Sequence, residues 1–188
     1  MINEEIILKA ALKLGKEEGW RWVTISKIAE ITGLKETEIK KRYRSKTEIL
    51  SNLSKKIDAA VINNAGKNNA GSPHDCLFDL LMARFDALLP YKTEIQSIIC
   101  DQIFEPKSFN PFLSARIHSM ALTLQAAGLS TSGFFGKLRI HGLLLIYANA
   151  FRIWLLDDSP DFGKTMAYID KSLRKAESFM TYVTSLQK

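Results

Sequence analysis

Along most of the chain, apolar residues return every three or four positions, the period of an α-helix, and no stretch alternates as a half-buried strand would. Ile6, Ile7, Ala10, Ala11 and Leu14 share one face of a first helix that Gly19 stops. A second begins at Thr24, a residue type whose hydroxyl caps helix starts, and buries Ile25, Ile28 and Ala29 before a break at Thr32–Leu34. A short third helix turns Ile39 and Tyr43 inward. Ser45 and Glu48 have the spacing of a capping box, which predicts a fourth helix from Lys46 through Leu50, Leu53 and Ile57.

The small, polar stretch Asn63–Pro73 reads as a linker. Beyond it the pattern predicts a helix over Cys76–Leu89, a break at Pro90, and a helix carrying Ile95, Ile98, Ile99 and Ile103. Pro106 and Pro111 bracket the next turn, followed by a helix with Leu113, Ile117, Met120 and Leu124. After a break at Gly128–Gly133 comes a long apolar helix around Leu143–Leu156, then a turn at Asp157–Asp161. In the last helix Phe162, Met166, Ile169, Leu173, Ala176, Met180 and Val183 repeat at alternating spacings of four and three, the seam of a helix packed lengthwise against another. The expected class is all-α, with about nine helices. Residues 1–50 would form a small bundle and residues 51–188 a larger helical domain.

Charge changes this picture locally. The net charge is +6, but the first fifty residues hold eleven basic against eight acidic side chains, so the signal is clustering and not excess. Lys40, Lys41, Arg42, Arg44 and Lys46 fall within seven consecutive positions. The two cysteines, Cys76 and Cys100, lack metal-ligand spacing and are expected to be reduced, buried thiols of a cytoplasmic protein. Acids and lysines interrupt the N-terminal apolar run, unlike a signal peptide. The apolar stretch Gly142–Leu156 is shorter than a membrane span and contains Asn149 and Arg152, so no integral membrane association is expected. No P-loop, dinucleotide fingerprint, nucleophile elbow or HExxH sequence is present, and no enzyme, cofactor or metal is expected.

Two short helices joined by a tight turn at Gly33 form a helix-turn-helix pattern, in which the second helix lies in the DNA major groove. Pattern alone leaves two readings of the basic run: a helix end that meets DNA, or a solvated charged face. Phe85, Phe104, Met120, Phe134 and Trp154, with Leu124 and His141, are candidates to line an apolar pocket, or simply to fill a core. His118 and His141 have no partner at helical spacing and are expected in a core or interface.

The segment Ile7–Leu50 resembles the DNA-binding segment of the TetR-family transcriptional regulators. The likeness rests on Ala10–Leu12, the approach from Gly19 to Thr24, Ile28–Ala29, Gly33 and Ser45–Lys46. It implies that the third helix reads a double-stranded DNA operator, with Thr24, Lys35, Thr37, Glu38 and Lys40 at the interface. Lys41, Arg42, Tyr43 and Lys46 would join them at its C-terminal end. It further implies a ligand pocket in residues 51–188 and a homodimer built by the last two helices. Tyr147, Asn149, Phe151, Arg152, Met166, Ile169, Leu173 and Met180 are the candidate interface. Lys40 and Arg42 stand where that family commonly has tyrosines; both suit phosphate contact by counterion release.

A second likeness, over Leu77–Lys92 and Trp154–Glu177, is to the TetR-fold lipid-binding proteins of ubiquinone biosynthesis. Those carry a further membrane-binding helix at the C-terminus, which is not expected here, and a reading helix that has lost its basic character. The function expected is therefore a regulator, a repressor, released by an apolar small molecule or lipid. The alternative is a quinone-pathway accessory protein with a vestigial helix-turn-helix.

Overall fold

The computed structural model describes residues 3–65, 71–102 and 109–185. Ile103 and Phe104 lie outside them, as do the side chains of Cys100 and Leu113. Among the described residues the regular structure is helical: α1 (Glu4–Leu14), α2 (Ile25–Thr32), α3 (Glu36–Arg42), α4 (Lys46–Ala65), α5 (Pro73–Leu88), α6 (Lys92–Gln102), α7 (Phe109–Ala126), α8 (Gly133–Leu155) and α9 (Gly163–Ser185). No described helix is long and apolar enough to cross a membrane.

Packing groups the chain differently from the expected division at residue 50. One compact unit gathers Met1–Ile57 with Leu88–Ala115, the other Asp58–Ala87 with Arg116–Lys188. In the first unit, Asn3 caps α1 by accepting from the Glu5 amide, and Ile7, Ala11 and Leu14 enter the core. Ile6, predicted on that face, is instead 48% exposed, because Leu8 and Leu12 turn the buried stripe the other way. Helical turns continue from Gly15 to Gly19, and the Trp20–Trp22 turn then sets Trp20 into the core. A Cβ on Gly15 would strike the Trp20 ring and Ile98, so the glycine is what lets α6 pack this closely.

The predicted capping box forms with a shifted partner. Ser45 Oγ accepts from the Glu48 amide, while Glu48 accepts from the Arg44 amide rather than from Ser45. α4 then continues to Ala65, into the predicted linker. Pro111 falls in the first turn of α7 instead of ahead of it, where its missing N–H leaves no helical hydrogen bond unmade.

In the second unit, Phe85, Tyr147, Phe151 and Trp154 pack ring to ring at centroid distances of 5.4–6.3 Å. Beside them the buried Arg84 pairs with Asp58, which also accepts from Ser119 Oγ at 2.8 Å. The turn before α9 is held by Asp157, fully buried, which accepts from the backbone and hydroxyl of both Ser159 and Thr165. Burial pushes the Asp157 carboxyl up, but these hydrogen bonds together outweigh it and hold the group well below the usual carboxylate range. Cys76 is half-buried, and its thiol donates to the Ala126 carbonyl at 3.8 Å.

Candidate nucleic-acid interface

The helix-turn-helix is set by local chemistry. Thr24 Oγ1 accepts from the Lys27 amide and starts α2; Gly33 ends it in the left-handed region, at φ 68°. An L side chain is strained at that angle, so glycine lets the chain reverse between two such short helices. Ile39, with no exposed surface, anchors α3 from below, and Ile28 and Ala29 anchor α2.

That anchoring sorts the predicted DNA-facing residues. Lys35, Thr37, Lys40, Lys41 and Arg42 are exposed, and Glu38 is half-buried. Lys40 pairs with Glu36 at 2.5 Å one turn back, and this pairing with Lys40 lowers the Glu36 pKa. Arg42 is tied to Glu4 of α1, whose other oxygen lies 2.6 Å from Lys56 and accepts from Asn52 at 3.3 Å. Asn52 also donates to the Tyr43 hydroxyl at 3.1 Å. Tyr43 is only 3% exposed, so its ring belongs to the core rather than to the exposed face. The Lys46 ammonium donates to the Trp20 carbonyl at 2.6 Å and the Arg21 carbonyl at 3.0 Å, which fastens the start of α4 to the turn before α2. The nine residues therefore share one neighbourhood, but Tyr43 and Lys46 are spent on holding it together.

The predicted pocket residues do not converge. Phe85, Met120 and Trp154 have no exposed surface and fill the core; Phe134 is 72% exposed, and His141 is exposed with its ring on the Lys137 carbonyl. His118 is exposed as well. Apolar faces at helical period look alike whether they fill a core or line a space. A groove of about 320 Å³ does open in the second unit, between α5, α7, α8 and α9, and among the described residues of the predicted set only Leu124 lines it. Its walls include Leu77, Leu143, Ile146, Leu173 and Met180, with His74, Arg139 and Glu177 among the polar residues.

The predicted dimer residues also divide. Tyr147, Ile169 and Leu173 are buried within the chain, because the seam of α9 packs on α8 of the same molecule. Phe151 is half-buried among the aromatic rings, and Met180 lines the groove. Asn149, Arg152 and Met166 stay exposed. Leu145 on α8 and Leu156, the residue that caps its end, are exposed at 65% and 74%, and with Asn149 and Arg152 they are spaced four, three and four apart.

No protein-family model matches the sequence, and no curated protein matches it. Solved structures do match the fold. A TetR transcriptional regulator from Nitrosomonas europaea aligns over 93% of this chain and 97% of its own, at TM-score 0.74 and 19% identity. One from Rhodococcus sp. RHA1 covers 90% and 92%, at 0.63 and 18%. The TetR-family regulator PfmR from Thermus thermophilus covers 89% and 97%, at 0.52 and 20%. At these identities the likeness establishes a shared all-α fold.

Proposed function

We propose that this chain is a sequence-specific DNA-binding regulator of transcription, acting in the cytoplasm as a homodimeric repressor released by an apolar small molecule. The observation that carries the reading is the anchored α3, with Lys35, Thr37, Lys40 and Lys41 on its exposed side, in a chain with the fold of TetR regulators. In the major groove such side chains meet phosphates and base edges. Release follows when a ligand binds more tightly to a conformation that does not fit the operator. The exposed lysines of α3 favour the regulator over the quinone-accessory alternative, in which the helix-turn-helix would be vestigial.

Lys35, Lys40 and Lys41 give a dimer six phosphate contacts, and hence a log–log salt slope of about −5. Fluorescence anisotropy with DNA from upstream of the coding sequence, across a salt series, tests this. Equal, weak affinity for every duplex overturns the reading.

The exposed face Leu145–Asn149–Arg152–Leu156 supports a dimer contact along α8. Leu145→Glu is expected to give a monomer by sedimentation velocity. A dimer of unchanged stability would move the interface elsewhere.

A further inference from the structure

The groove of the second unit has a feature that core packing does not explain. Gly142 sits in the middle of the 23-residue α8, where glycine weakens a helix, and its backbone needs no positive φ. A Cβ built there meets nothing within 4 Å. Gly142 borders the groove, so the missing side chain leaves that wall open rather than admitting a neighbouring helix. The volume, about 320 Å³, falls at the lower end of small-molecule sites.

The polar groups on the walls indicate what kind of molecule fits. Arg139 and Glu177 contribute one charge of each sign. His74 lies with Nδ1 and Nε2 each 3.4 Å from a carboxylate, of Asp75 and Asp170 respectively. The Nε2 atom is shielded from water, yet the approach to Asp170 does not make a hydrogen bond. A further carboxylate at His74 would stand beside two like charges, and a cationic head would have to share Asp170 with Arg174, which holds it through two contacts of 3.0–3.1 Å. A neutral hydroxyl meets neither obstacle: with Nδ1–H directed at Asp75, Nε2 is an acceptor, and a turn of the His74 ring toward the groove brings it within reach of the hydroxyl proton.

We propose that this groove binds a small neutral amphiphile, a chain of medium length with one hydroxyl seated at His74 and its apolar body along Leu77, Leu143 and Leu173. This deepens the reading of the second unit as a ligand domain and rests on it. The side opened by Gly142 is the space the chain occupies.

Calorimetry on the full chain, with 1-decanol, decanoate and decyltrimethylammonium as probes, tests the proposal. Decanol is expected to bind at least about tenfold more tightly than either ion, the equivalent of one hydrogen bond or one unfavourable charge contact. Gly142→Leu is expected to raise the melting temperature of the ligand-free protein and to abolish decanol binding, which separates blocking from misfolding. His74→Phe should weaken decanol about tenfold while leaving decane unchanged. Equal binding of the ions overturns the proposal, as does decanol affinity untouched by Gly142→Leu. Absence of decanol binding by the dimer, with binding restored in the Leu145→Glu monomer, would assign the groove to the second copy and overturn it too. Anisotropy with operator DNA is read separately: decanol that binds without loosening DNA upholds the site and removes ligand release from the regulator reading.

Discussion

Each unit contains an arginine held across helices by one carboxylate, and the two pairs differ in nearly everything else. Arg42 reaches from the end of α3 to Glu4 of α1, with its own side chain 60% exposed. Arg84 of α5 reaches Asp58 of α4 with 3% of its side chain exposed, and its guanidinium lies 5.3 Å over the Tyr147 ring. Water reaches and screens the Arg42 guanidinium, while the Glu4 carboxylate, 17% exposed, is shared with Lys56 and Asn52 and keeps partners without Arg42. The second has no water to fall back on, and separating it strands a charge. One arrangement leaves a surface charge that a single substitution can release, the other a joint that must not open.

The largest effect is therefore expected where the joint is broken on one side. Arg84→Met alone leaves Asp58 buried with Ser119 as its remaining partner and should cost about 3–5 kcal/mol in urea denaturation. Arg84→Met with Asp58→Leu should recover most of that loss, since an apolar pair of similar volume needs no solvation. If the double variant is no better than the single one, the ion pair is not the source of the cost.

A smaller loss, about 2 kcal/mol at neutral pH, is expected for Asp157→Ala, which strands the Thr165 and Ser159 donors. Here the pH dependence has a definite sign. The native carboxyl is held below its unfolded value of about 3.9, so its contribution is complete above that value and is lost as pH falls through the native pKa. The stabilities of native protein and Asp157→Asn should converge below about pH 4. A constant difference through that range would show that the carboxylate charge is not what holds the turn.

What could be read in the chain beforehand follows from how local each feature is. The start of α4 at Lys46 was legible because Ser45 and Glu48 make their contacts within one turn, and the reversal at Gly33 because a single backbone angle demands it. The extension of α4 to Ala65 was not, because Asn63 and Asn64 suggest a turn where the helix in fact continues. The groove was illegible for a different reason: its walls come from four helices far apart in sequence, and the period of Ile169 and Leu173 is the same for packing within a chain as between two. One sign of it was present, a glycine preceding a run of leucines at Gly142–Leu145, where nothing about chain reversal asks for one. Glu4 could not be foreseen either, since its partners at Arg42, Asn52 and Lys56 lie 38 to 52 positions away.

Glu4→Gln gives the smallest change in stability and the most informative change in binding. Glutamine keeps the acceptor for Asn52 but gives up the charge that holds Arg42 and Lys56, both more than half exposed, at a cost of about 1 kcal/mol. With Arg42 released, a dimer gains two phosphate contacts, and the salt slope should steepen from about −5 to about −7. Affinity for unrelated duplexes should rise with it, because phosphate contacts carry no sequence information. On this view Glu4 restrains non-specific binding by occupying the cation nearest the end of the reading helix. An unchanged slope with Glu4→Gln, but a shallower one with Arg42→Ala in the native background, would mean that Arg42 already leaves Glu4 for phosphate in the complex and that the pair is exchangeable in full.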